Sequence, residues 1–500
     1  MSGVGSGDRG RRQQPASKRQ PSHQASPNEK GEDERWAMPY DLVVIGGGSA
    51  GLAAAISGAR MGSSVALVEA DRLGGDCTWT GCVPSKALVH AAAVVHAATS
   101  GGFLSGKANF AAVRAHVLRA RQRVADFDTP ETLQALGIDL FSGTARFTSP
   151  SVVLVNGTRI EGRSFVICTG ATPVVAPIPG LAGSGYLTHE TVFELDELPE
   201  SLLVVGGGPI GVELAQAFSR LGSRVIVAET LPRLLSVAEP EASDALATRF
   251  RDEEIELLLG QSLDSLEPDH GRVAATIGSR RLTVDRVLLA VGRRPQVDGL
   301  GLEGIGVATN GAGIQVDDRL RTSVPHIFAA GDVIGGAQFT HYAIWHGFVA
   351  ARNALFPGST RGKGMSVPWA IFTDPEIAQV GLTEDQARER NGDVSVHRWP
   401  IARVDKAQTM AEPDGFIKVI SGRRGRVLGA SIVGVGSAEI ANLVAVALEA
   451  GMRMGDLSRT LLIYPTLTYG LGQLAGEAGL ETAGSSRWIQ LLRRWRGLRP

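Results

Sequence analysis

YDLVVIGGGSAG, residues 40–51, sets an apolar run directly against a cluster of glycines. Beyond Asp41 the run shows no polar alternation, the pattern of a strand buried on both faces of a parallel sheet. The cluster Gly46-Gly47-Gly48-Ser49-Ala50-Gly51 matches GxGxxG and opens an alanine-rich stretch of helical character. Gly46 permits a tight turn, Gly48 lets the backbone approach a diphosphate, and Gly51 lets helix and strand pack closely. The free N–H groups at the helix start, beginning with Ser49, then face anionic oxygens. A second apolar run, residues 64–68 (SVALV), ends on Glu69, where a carboxylate accepts the hydrogens of a ribose diol.

The same device recurs. Residues 202–205 (LLVV) run into Gly206-Gly207-Gly208-Pro209-Ile210-Gly211, and the apolar run 224–228 ends on Glu229. In both copies the acid stands 23 positions after the first glycine. Two dinucleotide sites in one chain imply a relay of hydride from a nicotinamide to a flavin. An acid closing the second site favours NADH, because a 2′-phosphate would meet Glu229 with like charge. Arg224 and Arg233 flank that site and leave NADPH open.

The 500-residue chain is 43% hydrophobic and 20% charged, with a net charge of −1. That balance fits a globular protein of about two to four domains and gives no bulk attraction to nucleic acid. No apolar run approaches the roughly 18 residues that span a bilayer. Cysteines number three, Cys77, Cys82 and Cys168. So few exclude a disulfide-stapled scaffold and point to a reducing, cytoplasmic setting. Cys168 ends the apolar run 165–168 and reads as a small core residue. Cys77 and Cys82 share the loop GGDCTWTGCVPSK, residues 74–86, which opens with Gly74 and Gly75. A zinc knuckle, a structural disulfide and a redox pair all use two such cysteines.

With that loop following the first glycine device, the chain resembles the pyridine nucleotide–disulfide oxidoreductases, in particular their mercuric reductase-like and dihydrolipoamide dehydrogenase-like members. Further stretches carry the resemblance: Thr169-Gly170-Ala171-Thr172-Pro173, Val291-Gly292-Arg293-Arg294-Pro295, Ala329-Ala330-Gly331-Asp332, Phe372-Thr373-Asp374-Pro375-Glu376 and Val380-Gly381-Leu382-Thr383. The resemblance covers residues 40–474. It implies an α/β fold with two Rossmann-like domains, for FAD and NAD(P), and a C-terminal α+β dimerisation domain. The boundaries it suggests are 39–187 and 299–365 for FAD, 188–298 for NAD(P), and 366–480 for a homodimer interface.

In this setting no further cysteine or histidine pair stands at ligand spacing, so no metal site is expected. The resemblance implies a Cys77–Cys82 disulfide one helical turn across, reduced by FAD. Cys82 would be the thiol beside the flavin and Cys77 the thiol that meets the substrate. Lys86 and Glu213 match the family's ion pair beside flavin and nicotinamide. Asp332 matches a contact to the flavin's ribityl chain, and Thr169, Gly170, Gly292, Gly331 and His341 fall in the cofactor-binding stretches. Of His341 and His346, one is expected against the isoalloxazine and the other on its own helix exterior.

One stretch departs from the family. Where a partner subunit's His-Pro-Thr-Leu-x-Glu supplies an acid/base, this chain has Tyr464-Pro465-Thr466-Leu467-Thr468-Tyr469. A phenol with a pKa near 10 is a poor base at neutral pH, although Tyr464 can donate a hydrogen bond or close a pocket. The substitution argues against lipoamide or glutathione turnover and for a metal-ion acceptor. Mercuric reductases also pass Hg(II) through a C-terminal cysteine pair, and residues 485–500 contain no cysteine. Three alternatives are a dihydrolipoamide dehydrogenase, a membrane-associated NADH:quinone reductase, and a redox-responsive binding protein without catalysis.

The ends read differently. Residues 1–38 are rich in Ser, Gln, Pro and charge, and read as a disordered tail or as an over-extended start ahead of Met38. The acidic residues Glu29, Glu32, Asp33 and Glu34 disfavour a transit peptide. Within the basic, aromatic C-terminal segment 481–500, Trp488, Leu491, Leu492 and Trp495 share one helical face among arginines. Residues 487–498 therefore suit either a membrane surface or the dimer.

Overall fold

A computed structural model describes residues 38–357, 360–364, 366–485 and 495–496. The expectations for residues 1–37, and for the helix at 487–498 apart from Trp495 and Arg496, lie outside the described residues.

The opening strand Leu42–Ile45 is wholly buried and lies mid-sheet, as its unbroken apolar run requires. It pairs in parallel with Val65–Glu69 on one side and Phe165–Ile167 on the other. Ile138–Ser142 and Ile327–Ala329 form the edges. The strand Ile327–Ala329 thus returns to this sheet after the chain has built a second one. That second sheet is also parallel, in the order Glu256–Leu259, Arg224–Glu229, Ser201–Val205, Arg286–Leu289. A third, antiparallel sheet of five strands runs from Trp369–Ile371 to Ser395–Pro400, and the helices Ser437–Glu449 and Tyr469–Ser485 share its core.

Three packing features position the site. The helices Ser49–Arg60 and Thr340–Leu355 cross closely, since a Cβ on Gly347 would collide with the Ala50 carbonyl. The strand Ala171–Pro173 pairs with Arg293–Pro295, joining two of the motif stretches in one antiparallel ladder. The helices Cys82–Ser100 and Pro209–Leu221 share a core through Leu88, Ala92, Val212 and Leu214.

Buried ion clusters tie the second sheet's helices to the third sheet. Lys418, 4% exposed, meets Glu239, Glu241 at 2.5 Å and Glu384 at 3.4 Å. Arg220 joins Glu253 at 2.6 Å to Asp374 at 2.5 Å. Charges this deep are tolerated because each has several partners.

Candidate active site

Both glycine devices are built alike, down to single hydrogen bonds. Gly46 turns the chain at φ +101° and Gly206 at φ +113°, where an L-residue would be strained. A Cβ on Gly51 would strike the Gly46 carbonyl, and one on Gly211 the Gly206 carbonyl. Glu69 accepts Gly47 N at 2.5 Å and Asp71 N at 2.7 Å. Glu229 accepts Gly207 N at 2.6 Å and Leu231 N at 2.8 Å. Neither helix has a side-chain cap, so the N–H groups at its start stay open to a ligand. The flanking arginines turn elsewhere, Arg224 to Thr283 O and Arg233 to Ser236 O.

One continuous cavity of about 1710 Å³ receives both devices. Gly46, Gly48, Ser49, Glu69, Gly75, Thr169, Gly170, Gly331, Asp332 and His341 line it, with Gly206, Gly208, Glu229 and Gly292 from the second device. So do Cys77, Cys82, Lys86 and Glu213. Gly51 and Gly211 stand behind the wall, packed on the carbonyls already named.

The cysteines do not sit on one helical turn. Cys77 lies in the short helix Gly75–Trp79 and Cys82 begins the helix Cys82–Ser100. The break comes at Thr80 and Gly81, whose N–H groups both bond the Asp76 carbonyl. A Cβ at Gly81 would press to 2.9 Å from that oxygen, so glycine is favoured there. Both cysteines are free in this structure, with no disulfide between them. Thr340 Oγ1 stands 3.2 Å from Cys82 Sγ and 3.3 Å from Cys77 Sγ. The hydrogen bond from the Cys77 thiol lowers the Cys82 pKa; burial opposes this, and the Thr340 hydroxyl and the Lys86 charge reinforce it, to about 6. The same bond and burial push the Cys77 thiol up. Cys168 is buried against the first device, and desolvation raises its pKa, as an inert core thiol requires.

Lys86 and Glu213 meet, Nζ to Oε2 at 2.6 Å. The other Glu213 oxygen accepts Phe372 N at 2.9 Å, and the ammonium lies 4.9 Å from the Phe372 ring centroid.

Asp76, Arg293 and His189 went unassigned at the sequence level. The Arg293 guanidinium bridges Asp76, beside Cys77, to Asp332 at 2.8 Å. His189, 6% exposed, holds Nε2 3.5 Å from Asp76 Oδ1. Burial opposes ionisation of Asp76, but the nearby His189 imidazole and the Arg293 charge bring its pKa down to about 2. The Asp76 contribution to stability is complete above its ordinary value of 3.8 and is lost as pH falls towards 2. Asp76→Asn is therefore expected to cost about 2 kcal/mol at neutral pH, read as a lower urea midpoint. An unchanged midpoint would mean that Asp332 alone suffices to hold Arg293.

The histidines divide differently from expectation. His341 lines the cavity with Nε2 2.9 Å from Pro368 O. His346 is not on the helix exterior: it is 2% exposed, its ring lies 3.8 Å from that of Tyr342, and Nε2 is 3.2 Å from Gly362 O. The chain around Gly362 covers that helix face, and desolvation lowers the His346 pKa to about 4. Tyr464 lies away from this chain's cavity, 60% exposed, donating to Asp405 Oδ2 at 2.9 Å. That bond raises its pKa further from neutrality.

Residues 40–347 match the family described as pyridine nucleotide-disulphide oxidoreductase, and residues 367–475 match its dimerisation domain. The chain belongs to the pyridine nucleotide-disulphide oxidoreductase family. The oxidoreductase depends on FAD and uses NAD(P)H. It is 36% identical over 455 residues to a dihydrolipoyl dehydrogenase of Thermus scotoductus, covering 87% of this chain and 96% of the relative. It is 33% identical over 443 residues to a mercuric reductase of Bacillus cereus, covering 86% and 70%. Among solved structures, the HOCl-induced flavoprotein disulfide reductase RclA from Escherichia coli matches at TM-score 0.81 and 31% identity, over 87% of this chain and 99% of that one.

The cavity fits a bound dinucleotide on its own terms. Gly208 leaves open space where a side chain would stand, and Gly48 faces only the Gly75 Cα, at 3.8 Å. Arg293 Nε is buried without a hydrogen-bond partner among the described residues, a donor left for a ligand. No helix among the described residues is long and apolar enough to cross a membrane.

Proposed function

We propose that this oxidoreductase passes two electrons from NADH through FAD to a Cys77–Cys82 disulfide and on to a thiol-reactive acceptor, in the manner of a mercuric reductase. The observation that carries this reading is the cysteine pair itself, two free cysteines within 3.3 Å of one Thr340 hydroxyl on a cavity shared with both glycine devices.

In this reading residues 39–187 and 299–365 hold FAD, through Gly46, Gly48, Ser49, Gly51, Glu69, Gly75, Lys86, Thr169, Gly170, Gly331, Asp332 and His341. Residues 188–298 hold NADH, through Gly206, Gly208, Gly211, Glu229 and Gly292. Glu229, already fixed by two backbone N–H groups, disfavours a 2′-phosphate. When bound, FAD supplies the two-electron carrier between nicotinamide and sulfur. Net, one hydride equivalent breaks the S–S bond and leaves one thiol and one thiolate. Lys86 favours the charge on Cys82, and Glu213 holds Lys86 in place.

The acceptor class follows from proton handling. Tyr464, on the interface domain 366–480, is held by Asp405 as a hydrogen-bond donor and cannot serve as a base near pH 7. A thiophilic metal ion on two thiolates has no leaving thiol to protonate, whereas a disulfide does. The exposed side chains Leu461 and Ile463, at 98% and 79%, support burial of this segment in a homodimer.

An anaerobic NADH titration of the FAD-loaded enzyme, with thiols counted before and after, tests the relay; two new thiols are expected. Hg(II), lipoamide, glutathione disulfide and a quinone are then added in separate cuvettes, and Hg(II) is expected to reoxidise the enzyme fastest. Absence of new thiols would overturn the disulfide step. Fastest reoxidation by lipoamide would make the protein a dihydrolipoamide dehydrogenase, and by quinone a quinone reductase.

A further inference from the structure

The two glycine devices, alike in their glycines and acids, differ at the rim. Glu69 and Glu229 each bond the N–H two residues on, at Asp71 and Leu231. The next residue is Arg72 in the first device and Pro232 in the second. Arg72 lines the cavity with Glu69, and its guanidinium lies over the Trp79 ring, 4.3 Å from the centroid.

The ring beneath it is fixed. Trp79 Nε1 donates to Leu73 O at 2.7 Å, and the Trp79 carbonyl accepts from Arg121 at 3.4 Å. The Arg121 guanidinium lies 5.7 Å from the same ring centroid and is tied to Glu194 at 2.7 Å. Arg72 is tied less firmly. Its one ion partner among the described residues is its chain neighbour Asp71, at 3.3 Å, with side chains 47% and 79% exposed. A surface pair of that kind adds little to stability. The fold therefore does not need this cation, which leaves a flat positive group on an aromatic shelf at the cavity.

A guanidinium is planar and stacks on aromatic faces, attracted by their π electrons. With one side on the indole, its other side is open to a planar base. Glu69, three residues earlier, is the acid that takes a ribose diol, and the base carried by that ribose is such a ring. We infer that Arg72, seated on Trp79, is a cofactor-binding residue that stacks on the adenine of FAD. The inference rests on the proposed placement of FAD in the first device. Because the second device has Pro232 at this position, the effect is confined to FAD.

The test follows FAD release from the purified holoenzyme after dilution, read as the rise in flavin fluorescence. Affinity for NAD⁺ is measured alongside by calorimetry. Arg72→Leu should speed FAD release about tenfold and leave NAD⁺ affinity unchanged. Arg72→Lys keeps the charge without the flat face, and should release FAD at least about fivefold faster than wild type. Trp79→Phe, which keeps a ring under Arg72, should release FAD more slowly than Trp79→Leu, which removes it. Wild-type release in Arg72→Leu overturns the inference. So does wild-type release in Arg72→Lys, which would leave a charge acting on the diphosphate, or equal release from the two Trp79 variants. A matching loss of NAD⁺ affinity in Arg72→Leu would mean general damage and also overturns it. Gly48→Val checks the placement separately, since a Cβ there meets only the Gly75 Cα, at 3.8 Å. It should empty the enzyme of FAD and spare NAD⁺ binding. If it keeps FAD and loses NAD⁺, the assignment of the two devices has failed instead.

Discussion

Cys77→Ser is expected to leave NADH able to bleach the flavin and to lower acceptor-dependent NADH oxidation by at least about 10³-fold. A hydroxyl cannot form the S–S bond that takes up two electrons, so they halt on the flavin. The choice of serine matters. Its O–H can still donate to Cys82 Sγ, the bond that contributes most to that thiol's low pKa. The pH midpoint of Cys82 alkylation should therefore stay nearer 6 in Cys77→Ser than in Cys77→Ala, which donates nothing. Stopped-flow absorbance of the flavin reads the first half-reaction, and steady-state turnover with Hg(II) reads the second. Retention of more than a tenth of wild-type turnover would mean that electrons leave the flavin by another route, as a quinone reductase would allow.

How much of this was legible depended on how locally each feature is encoded. The glycine devices were readable because strand, turn, helix start and acid all fall within one βαβ unit, and the matching Glu69 and Glu229 hydrogen bonds are that local code made physical. Lys86 and Glu213 lie 127 residues apart and were reached through the family resemblance, not from spacing. Thr340, and the bridge from Asp76 to Arg293 across 217 residues, had no such guide. Thr340 follows the returning strand Ile327–Ala329, and Arg293 sits on the ladder with Ala171–Pro173, so residues far apart in sequence meet at the cavity. Asp76 gave a faint signal, a carboxylate directly before a redox-candidate cysteine, yet its partner could not be named from sequence. His346 was misplaced for a related reason: the cover over its helix face comes from the chain around Gly362, which has no periodicity to read. The one-turn geometry of the cysteines failed at Gly81, where a helix break was hidden by a spacing that a continuous helix would also satisfy.

Lys86→Met tests the junction where the cysteine helix, the second nucleotide helix and the interface domain meet. Glu213 is 5% exposed, and without the ammonium its carboxylate keeps only the Phe372 N–H. A buried carboxylate robbed of its ion partner costs about 3–5 kcal/mol. The Lys86 side chain is 37% exposed, so solvent already screens part of the pair and the expected loss falls to about 2 kcal/mol. The thiol responds with a sign that packing damage alone would not produce. Lys86 lowers the Cys82 pKa and Glu213 raises it, so Lys86→Met should move the alkylation midpoint up and Glu213→Gln should move it down. The double variant should recover most of the stability and return the midpoint towards wild type, because both opposed charges are then gone. Urea denaturation supplies the first reading and the pH profile of Cys82 alkylation the second. Equal shifts of the same sign in both single variants would remove Lys86 and Glu213 from the electrostatics of the redox pair and leave them a purely structural clasp.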